Sequence, residues 1–184
     1  MSPLRWLARR GLARFAGRYG YDVSYLETML RVAPRAFYKF SFVSTAAAHR
    51  RAAPVGAYFA VKIHAAAAAD CGPCTQLAVR MAREAGVDAG VVESVLAGRR
   101  DELPEETALG LRFAGALAGD DPIELERGRS AVRERLGEEA LIELSLCWVL
   151  GQVFPRLKRA LGAAEACGIV RVDDRPVRVA LHAG

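Results

Sequence analysis

The fold is decided by residues 55–86, which read VGAYFAVKIHAAAAADCGPCTQLAVRMAREAG. The first half is apolar and rich in alanine, which predicts a buried helix from about Val55 to Ala69. Five consecutive alanines, Ala65 to Ala69, close this helix. Their small side chains allow another helix backbone to approach closely. We therefore expect this helix at the centre of a helical bundle.

A second helix is predicted to follow at once, from about Cys71 to Ala85, with Gly86 as its stop. Pro73 suits the first turn of a helix, and the carboxylate of Asp70 is expected to accept a hydrogen bond from the Gly72 N–H. One face of this helix carries mostly apolar side chains, namely Cys74, Leu77, Ala78, Met81 and Ala85. This spacing predicts that Cys74 faces the core.

The remaining segments are assigned from apolar periodicity and from the Pro, Gly and Asp residues at their ends. Helices are predicted over about 3–18, 23–32, 34–50, 89–97, 104–117, from 122 onward, and over about 138–161. Pro155 is expected to kink or divide the last of them, and residues 144–150 are expected to be buried on all sides. Residues 169–172 and 177–180 resemble a small β-hairpin that must pack on the body or on a partner subunit.

These elements predict an all-α fold, a helical bundle with a CxxC at a helix N-terminus and a possible small C-terminal hairpin. We expect a single domain over residues 1–184, because neither an internal repeat nor a low-complexity linker interrupts the chain. Within it, residues 1–50 form N-terminal helices, residues 51–162 form the core, and residues 163–184 form the tail.

The composition is that of a globular protein, with 52% hydrophobic and 26% charged residues. The formal net charge is +5, and the basic residues at positions 5, 9, 10, 14 and 18 all precede the first acidic one, Asp22. A solvated helix face explains this segment, and contact with an anionic membrane surface is the alternative. No zinc-finger spacing, aromatic–glycine motif or dense cationic cluster suggests nucleic-acid binding.

The N-terminal residues lack the apolar stretch and the cleavage site of a secretory signal, although an organelle transit peptide shares their arginine-rich, acid-free character. The longest apolar stretches, 55–69 and 141–154, are interrupted by polar residues and fall short of a membrane span. We therefore expect a cytoplasmic protein. In that compartment its four cysteines are expected to be redox or core residues rather than a disulfide framework.

The sequence Cys71-Gly72-Pro73-Cys74 brings two thiols within disulfide reach on one helical turn. The positive end of a helix favours thiolate over thiol, which is what peroxide reduction or disulfide exchange requires. Inert core cysteines and half of a metal site are the alternatives. No second Cys/His pair stands at zinc-binding spacing, so we predict no metal site and no cofactor.

The residues around this pair decide between two known kinds of dithiol protein. Thioredoxin has the same tetrapeptide, but it needs a strand and an aromatic residue directly before the motif, where this chain has alanines and Asp70. The chain instead resembles the alkylhydroperoxidase D-like, or carboxymuconolactone decarboxylase, family over roughly residues 50–160. The likeness rests on the apolar helix before the CxxC, on Leu77 and the stretch 82–88 after it, on Pro104-Glu105-Glu106, and on the closing apolar stretch 141–156.

This resemblance implies an all-helical fold, a homo-oligomer, and reduction of a small peroxide or disulfide substrate at the expense of a thiol reductant. By the resemblance, Cys74 is the thiol that attacks the substrate, and Cys71 resolves the product as a disulfide. Cys71, at the tip of the helix, is then expected to face the reductant.

The chain departs from the family pattern at two positions. Active members carry a glutamate and a histidine that form a proton relay, and the matching positions here hold Phe59 and Ala78, which cannot move a proton. His64 is the best substitute, since it precedes Cys71 by seven residues and falls on nearly the same face if one helix continues. A histidine satisfied within the core is the other interpretation of His64.

The other candidate residues carry weaker patterns. Cys147 and Trp148 are interpreted as packing residues, as are the tyrosines of the N-terminal part, Tyr19, Tyr21, Tyr25 and Tyr38. Cys167 is expected to pack at a helix end or to pair between subunits. A non-catalytic scaffold or ligand-binding protein that has lost the relay is the alternative function.

Overall fold

The computed structural model of the chain describes residues 3–166 and 168–181, and helices dominate them. The helices are α1 (Pro3–Tyr19), α2 (Ser24–Val32), α3 (Pro34–Ala46), α4 (Val55–Ala68), α5 (Gly72–Glu84), α6 (Ala89–Leu96), α7 (Glu105–Ala118), α8 (Pro122–Leu136) and α9 (Glu138–Ala160). A short 3₁₀ turn covers Arg100–Glu102, and two strands follow, β1 (Ile169–Val172) and β2 (Arg175–Arg178). The expected all-α fold with a terminal hairpin is confirmed.

Helix α4 lies at the centre of the bundle, in contact with α5, α7 and α9. Its apolar side chains are buried on nearly all sides, as the composition of this segment predicts. The closest approach is made by α7, because Gly110 has no side chain where it meets Ala57 of α4. The position of α4 fixes the start of α5, which follows it after only three residues.

Helices α1 and α2 form a hairpin at one end of the molecule. Gly20 turns the chain between them with a left-handed backbone, at φ +51°. The side chains of Arg18 and Tyr19 bind Glu84 at the end of α5, and Arg80 of α5 donates to the carbonyl of Tyr19. These contacts hold the end of α1 and the start of the connection to α2 against the C-terminal part of α5.

A kink or a division was expected at Pro155, and the division is wrong, because α9 runs through Pro155 as one helix. Its burial also differs from the expectation, because α9 lies at the edge of the bundle and only one side of it is covered. Ile142, Leu146 and Val149 are exposed, with Leu146 at 43% of its surface. Of the described residues, only this helix is long and apolar enough to cross a membrane, and core helices of other proteins pass the same test.

The two strands pair antiparallel, with Val170 opposite Val177. Val170 and Val172 are buried, where the hairpin contacts α5 and α6. The first strand has the predicted bounds, whereas the second begins two residues earlier than predicted. Asp173 and Asp174 alone make the turn, both with a left-handed backbone at φ +43° and +69°. A tight turn of two residues leaves Arg175 and Pro176 in the strand.

Candidate redox site

The two cysteines of the CxxC lie where the chain turns from α4 into α5. Asp70 adopts a left-handed backbone, at φ +49°, and reverses the direction of the chain after α4. Cys71 is extended and directly precedes α5, and Pro73 occupies the first turn of this helix. Cys74, one turn along, is joined to Cys71 by a disulfide, with the two Cα atoms 5.3 Å apart. The local sequence therefore suffices to bring the sulfur atoms together.

Both sulfur-bearing residues are shielded from solvent. Cys74 is 6% exposed, which confirms its predicted orientation toward the core. Cys71 is 0% exposed, so the expectation that it faces a reductant from the helix tip is wrong. The physical reason is the buried cluster in which Tyr21, Tyr25 and Ala66 pack with both cysteines. The carbonyl of Glu165, after α9, also accepts a hydrogen bond from the Gly72 N–H at 3.1 Å.

Asp70 does not form the predicted cap, because its expected partner, the Gly72 N–H, is taken by Glu165. The Asp70 carboxylate instead lies 3.2 Å from the guanidinium of Arg159, on α9. Its negative charge is thus balanced by a cation and is held at the surface. The first turn of α5 keeps its positive dipole end toward the cysteines, which favours a thiolate in the reduced protein.

Two buried tyrosines, one in the connection between α1 and α2 and one in the first turn of α2, complete the surroundings of Cys74. The hydroxyl of Tyr21 lies 3.5 Å from the Sγ of Cys74 and 3.5 Å from the hydroxyl of Tyr25. Burial raises the pKa of both phenols above the ordinary value, so both remain protonated at neutral pH. The sequence analysis assigned these tyrosines to packing alone and missed their position beside the thiol.

A lysine from α9 lies over both phenol rings. Lys158 is 1% exposed, and its Nζ is 4.9 Å from the ring centroid of Tyr21 and 5.3 Å from that of Tyr25. The Oδ2 of Asp22 is 3.9 Å from the same nitrogen. The backbone N–H of Ser24 holds the pKa of Asp22 below its usual range, so this carboxylate is charged at neutral pH.

A buried cation is unusual, and it is stabilised here by a carboxylate and by two aromatic faces. The sequence analysis did not single out Lys158. Lys158 lies between Leu157 and Arg159 in a basic segment three residues after Pro155, where a solvated cation is the ordinary interpretation.

His64 lies on α4, where it packs against Trp148 of α9. Its ring lies 5.4 Å from that of Trp148, and burial lowers its pKa to about 4, so the ring is neutral at physiological pH. No described residue hydrogen-bonds its Nδ1. Because α4 ends at Ala68 and the chain then reverses, the helical spacing that linked His64 to Cys71 does not continue to the cysteines. Its catalytic role stays a prediction.

The other candidates add no proton-transfer group. Phe59 and Ala78 are both buried in the apolar core. Cys147 is also buried, and desolvation raises the pKa of its thiol to about 12, which suits a packing residue. Cys167 lies outside the described residues. Across residues 3–166 and 168–181, no group of three or more His, Cys, Asp or Glu side chains is arranged to hold a metal ion.

The site therefore combines a dithiol that has formed a disulfide, a phenol within hydrogen-bonding distance of one sulfur, and a buried ammonium group above that phenol. A cysteine pair of this geometry can undergo reversible dithiol–disulfide exchange. Comparison with known proteins adds nothing to this: no family model, no curated protein and no solved structure matches the chain.

Proposed function

We propose that the protein is a thiol-dependent redox enzyme of the alkylhydroperoxidase-like kind, which reduces a small peroxide or disulfide through Cys74 and Cys71. The observation that carries the proposal is the disulfide between these residues at the N-terminus of α5, enclosed in a site that also holds a phenol and an ammonium group. A resolving thiol one helical turn from the attacking thiol is the arrangement that sulfenic acid chemistry needs. The resemblance of residues 50–160 to the alkylhydroperoxidase D-like family points the same way.

The proposed reaction begins with both cysteines reduced. The sulfur of Cys74 attacks the terminal oxygen of a hydroperoxide, the O–O bond breaks, and an alcohol leaves while Cys74 becomes a sulfenic acid. The thiol of Cys71 then attacks this sulfur and releases water, which forms the disulfide. In total, two thiols and one hydroperoxide give one disulfide, one alcohol and one water. An external dithiol returns the pair to the reduced state by exchange and is itself oxidised.

The test is alkylation mass spectrometry of the reduced protein after exposure to one equivalent of an organic hydroperoxide. We expect Cys71 and Cys74 to be linked while Cys147 stays free. Cys74→Ser should abolish peroxide consumption, and Cys71→Ser should stop at a sulfenic acid that a dimedone probe labels on Cys74. Cys147→Ser is the matched control and should behave as the unaltered protein.

The second candidate is a non-catalytic helical scaffold or ligand-binding protein. Two observations favour it: Phe59 and Ala78 stand where the family has its relay, and Cys71 is fully enclosed. In that case both thiols remain open to alkylation after exposure to peroxide, and Cys74→Ser changes nothing. The same experiment therefore separates the two functions.

The proposal extends to location and to partners. A dithiol that must be reduced in every cycle needs a reducing compartment, which favours the cytoplasm. The partners are the peroxide or disulfide substrate, a thiol reductant, and a second copy of the chain. Self-association is supported by the exposed apolar side of α9, which has an acidic residue at one end, Glu139, and a basic one at the other, Arg156.

A further inference from the structure

We propose that Tyr21 is the catalytic acid of the Cys74 reaction, with Lys158 as the residue that positions and polarises it. The inference rests on the proposed function, and it supplies the proton transfer that Phe59 and Ala78 cannot. Tyr21 lies in the connection between α1 and α2 and Lys158 lies in α9, so neither belongs to the CxxC motif or to its helix.

Tyr21 lies beside the sulfur that is proposed to attack the substrate. Its hydroxyl is 3.5 Å from the sulfur of Cys74, and it can both donate and accept a hydrogen bond. Tyr25 lies at the same distance from the oxygen of Tyr21 on its other side. The phenol of Tyr21 is thus held between a reacting atom and a second hydroxyl, in a site that excludes water.

The chemistry of a phenol suits this position. When a thiol attacks a hydroperoxide, the oxygen that leaves is an alkoxide unless it receives a proton. As the Cys74 thiolate attacks, the Tyr21 hydroxyl donates its proton to the leaving oxygen and becomes a phenolate. The negative charge passes from the sulfur to the phenol oxygen, so no net charge is created, and the phenolate then takes up the proton that Cys74 released on ionising. The products are a sulfenic acid and a neutral alcohol, as the overall balance requires.

Lys158 lowers the barrier of this transfer through Tyr21 and does not touch sulfur in the structure. As the phenol gives up its proton, negative charge grows on its oxygen and spreads into the ring. An ammonium group 4.9 Å from the ring centroid attracts that charge more strongly than it attracts the neutral phenol. Because Lys158 is enclosed, water screens this attraction little. Asp22, at 3.9 Å, holds the ammonium group in place.

The competing explanation is that Tyr21 and Lys158 only pack against the cysteines. The two roles differ in how the rate depends on the leaving group. An alkyl hydroperoxide releases an alkoxide that needs a proton, whereas a peracid releases a carboxylate that is stable without one. A proton donor therefore matters for the first oxidant and little for the second, while a packing defect affects both alike.

The experiment measures single-turnover oxidation of the reduced protein by an alkyl hydroperoxide and by a peracid, in the unaltered chain and in Tyr21→Phe. We expect Tyr21→Phe to slow the alkyl hydroperoxide reaction about 10²-fold or more, in the range for loss of a general acid, and the peracid reaction less than about tenfold. Lys158→Met should show the same selectivity with a smaller loss. Tyr38→Phe is the matched control and should leave both rates unchanged, because no described residue bonds its hydroxyl.

Each result decides a different question. If Tyr21→Phe reacts as fast as the unaltered chain, or loses both reactions equally, the assignment of Tyr21 is overturned and the dithiol function stands. If the unaltered chain reacts with neither oxidant, the proposed function fails and the assignment fails with it. Should Lys158→Met not fold, Tyr21→Phe alone decides, since it removes one oxygen and keeps the ring.

Discussion

At the scale of single residues, Glu143 is the polar group with the clearest structural role. It lies buried in α9, and its two oxygens accept hydrogen bonds of 2.7–3.2 Å from the backbone N–H groups of Arg51, Ala52 and Ala53. Burial raises the pKa of this carboxyl, but the hydrogen bonds from Ala53, Ala52 and Arg51 outweigh burial and hold the pKa below its usual range. Glu143 thus fixes the segment that leads into α4.

We predict that Glu143→Gln lowers the free energy of unfolding by about 2 kcal/mol or more. The amide has only one acceptor oxygen, and its NH₂ group would face backbone N–H groups that also donate. The native pKa is below the unfolded one, so the contribution is complete above the ordinary value of 4.5 and is lost as the pH falls through the native pKa. Urea unfolding between pH 3 and 7 checks this. Glu134→Gln, on the exposed side of α8, is the control and should have little effect. If the loss of stability in Glu143→Gln did not change with pH, the proposed role of the Glu143 carboxylate would be contradicted.

At the scale of helices, the packing of α7 on α4 depends on Gly110. A Cβ atom at Gly110 would lie 2.7 Å from the carbonyl oxygen of Ala57 and 2.8 Å from its Cα. Those are backbone atoms of the central helix, so neither can move aside as a side chain would. The two helices must separate, and α4 carries the start of the redox site.

Gly110→Ala is therefore expected to lower the free energy of unfolding by about 1–2 kcal/mol, since overpacking exceeds the gain in helix propensity. Gly11→Ala in α1 is the matched control, because no atom lies within 4 Å of the added methyl group. That change should stabilise the protein by up to about 1 kcal/mol. Thermal and urea unfolding of the two variants compare them directly. Equal effects at both glycines would show that α4 and α7 are not in close contact.

At the scale of the whole molecule, the outer side of α9 has the pattern of a helix–helix contact. Its residues are spaced three and four apart along the helix: Glu139, Ile142, Leu146, Val149, Val153 and Arg156. This is the heptad spacing of coiled coils, here over about 26 Å. Two copies related by a two-fold axis perpendicular to α9 would place their helices antiparallel, and Glu139 would then meet Arg156 of the partner subunit. The surface is thus complementary to itself in charge.

We predict that the protein is a dimer at micromolar concentration and that Leu146→Glu converts it to a monomer, because a buried charge replaces the central apolar contact. Sedimentation velocity measures the mass. Ile123→Glu, at an exposed apolar residue at the start of α8, is the control and should leave the dimer intact. A monomeric unaltered protein, or a Leu146→Glu variant of unchanged mass, would exclude this interface.

Features that neighbouring residues determine were predicted correctly, and features that depend on residues far apart in the chain were missed. The break between α4 and α5, the inward position of Cys74 and the first strand were predicted correctly, because neighbouring residues determine them. The burial of Cys71 was missed, since Tyr21 and Tyr25, which pack in the same cluster, lie far from it in the chain. Tyr21 was assigned to packing because 53 residues separate it from Cys74.

The sequence by itself determined the helical fold, the hairpin and the disulfide spacing, since backbone propensity, apolar periodicity and a CxxC on one helical turn are local properties. Only the tertiary structure decided what surrounds the dithiol and which side of α9 stays exposed. Periodicity shows which residues share a face, but it does not tell which element covers that face. The phenol at Cys74 comes from the connection between α1 and α2 and the ammonium group from α9, and only the tertiary structure brings them to the sulfur.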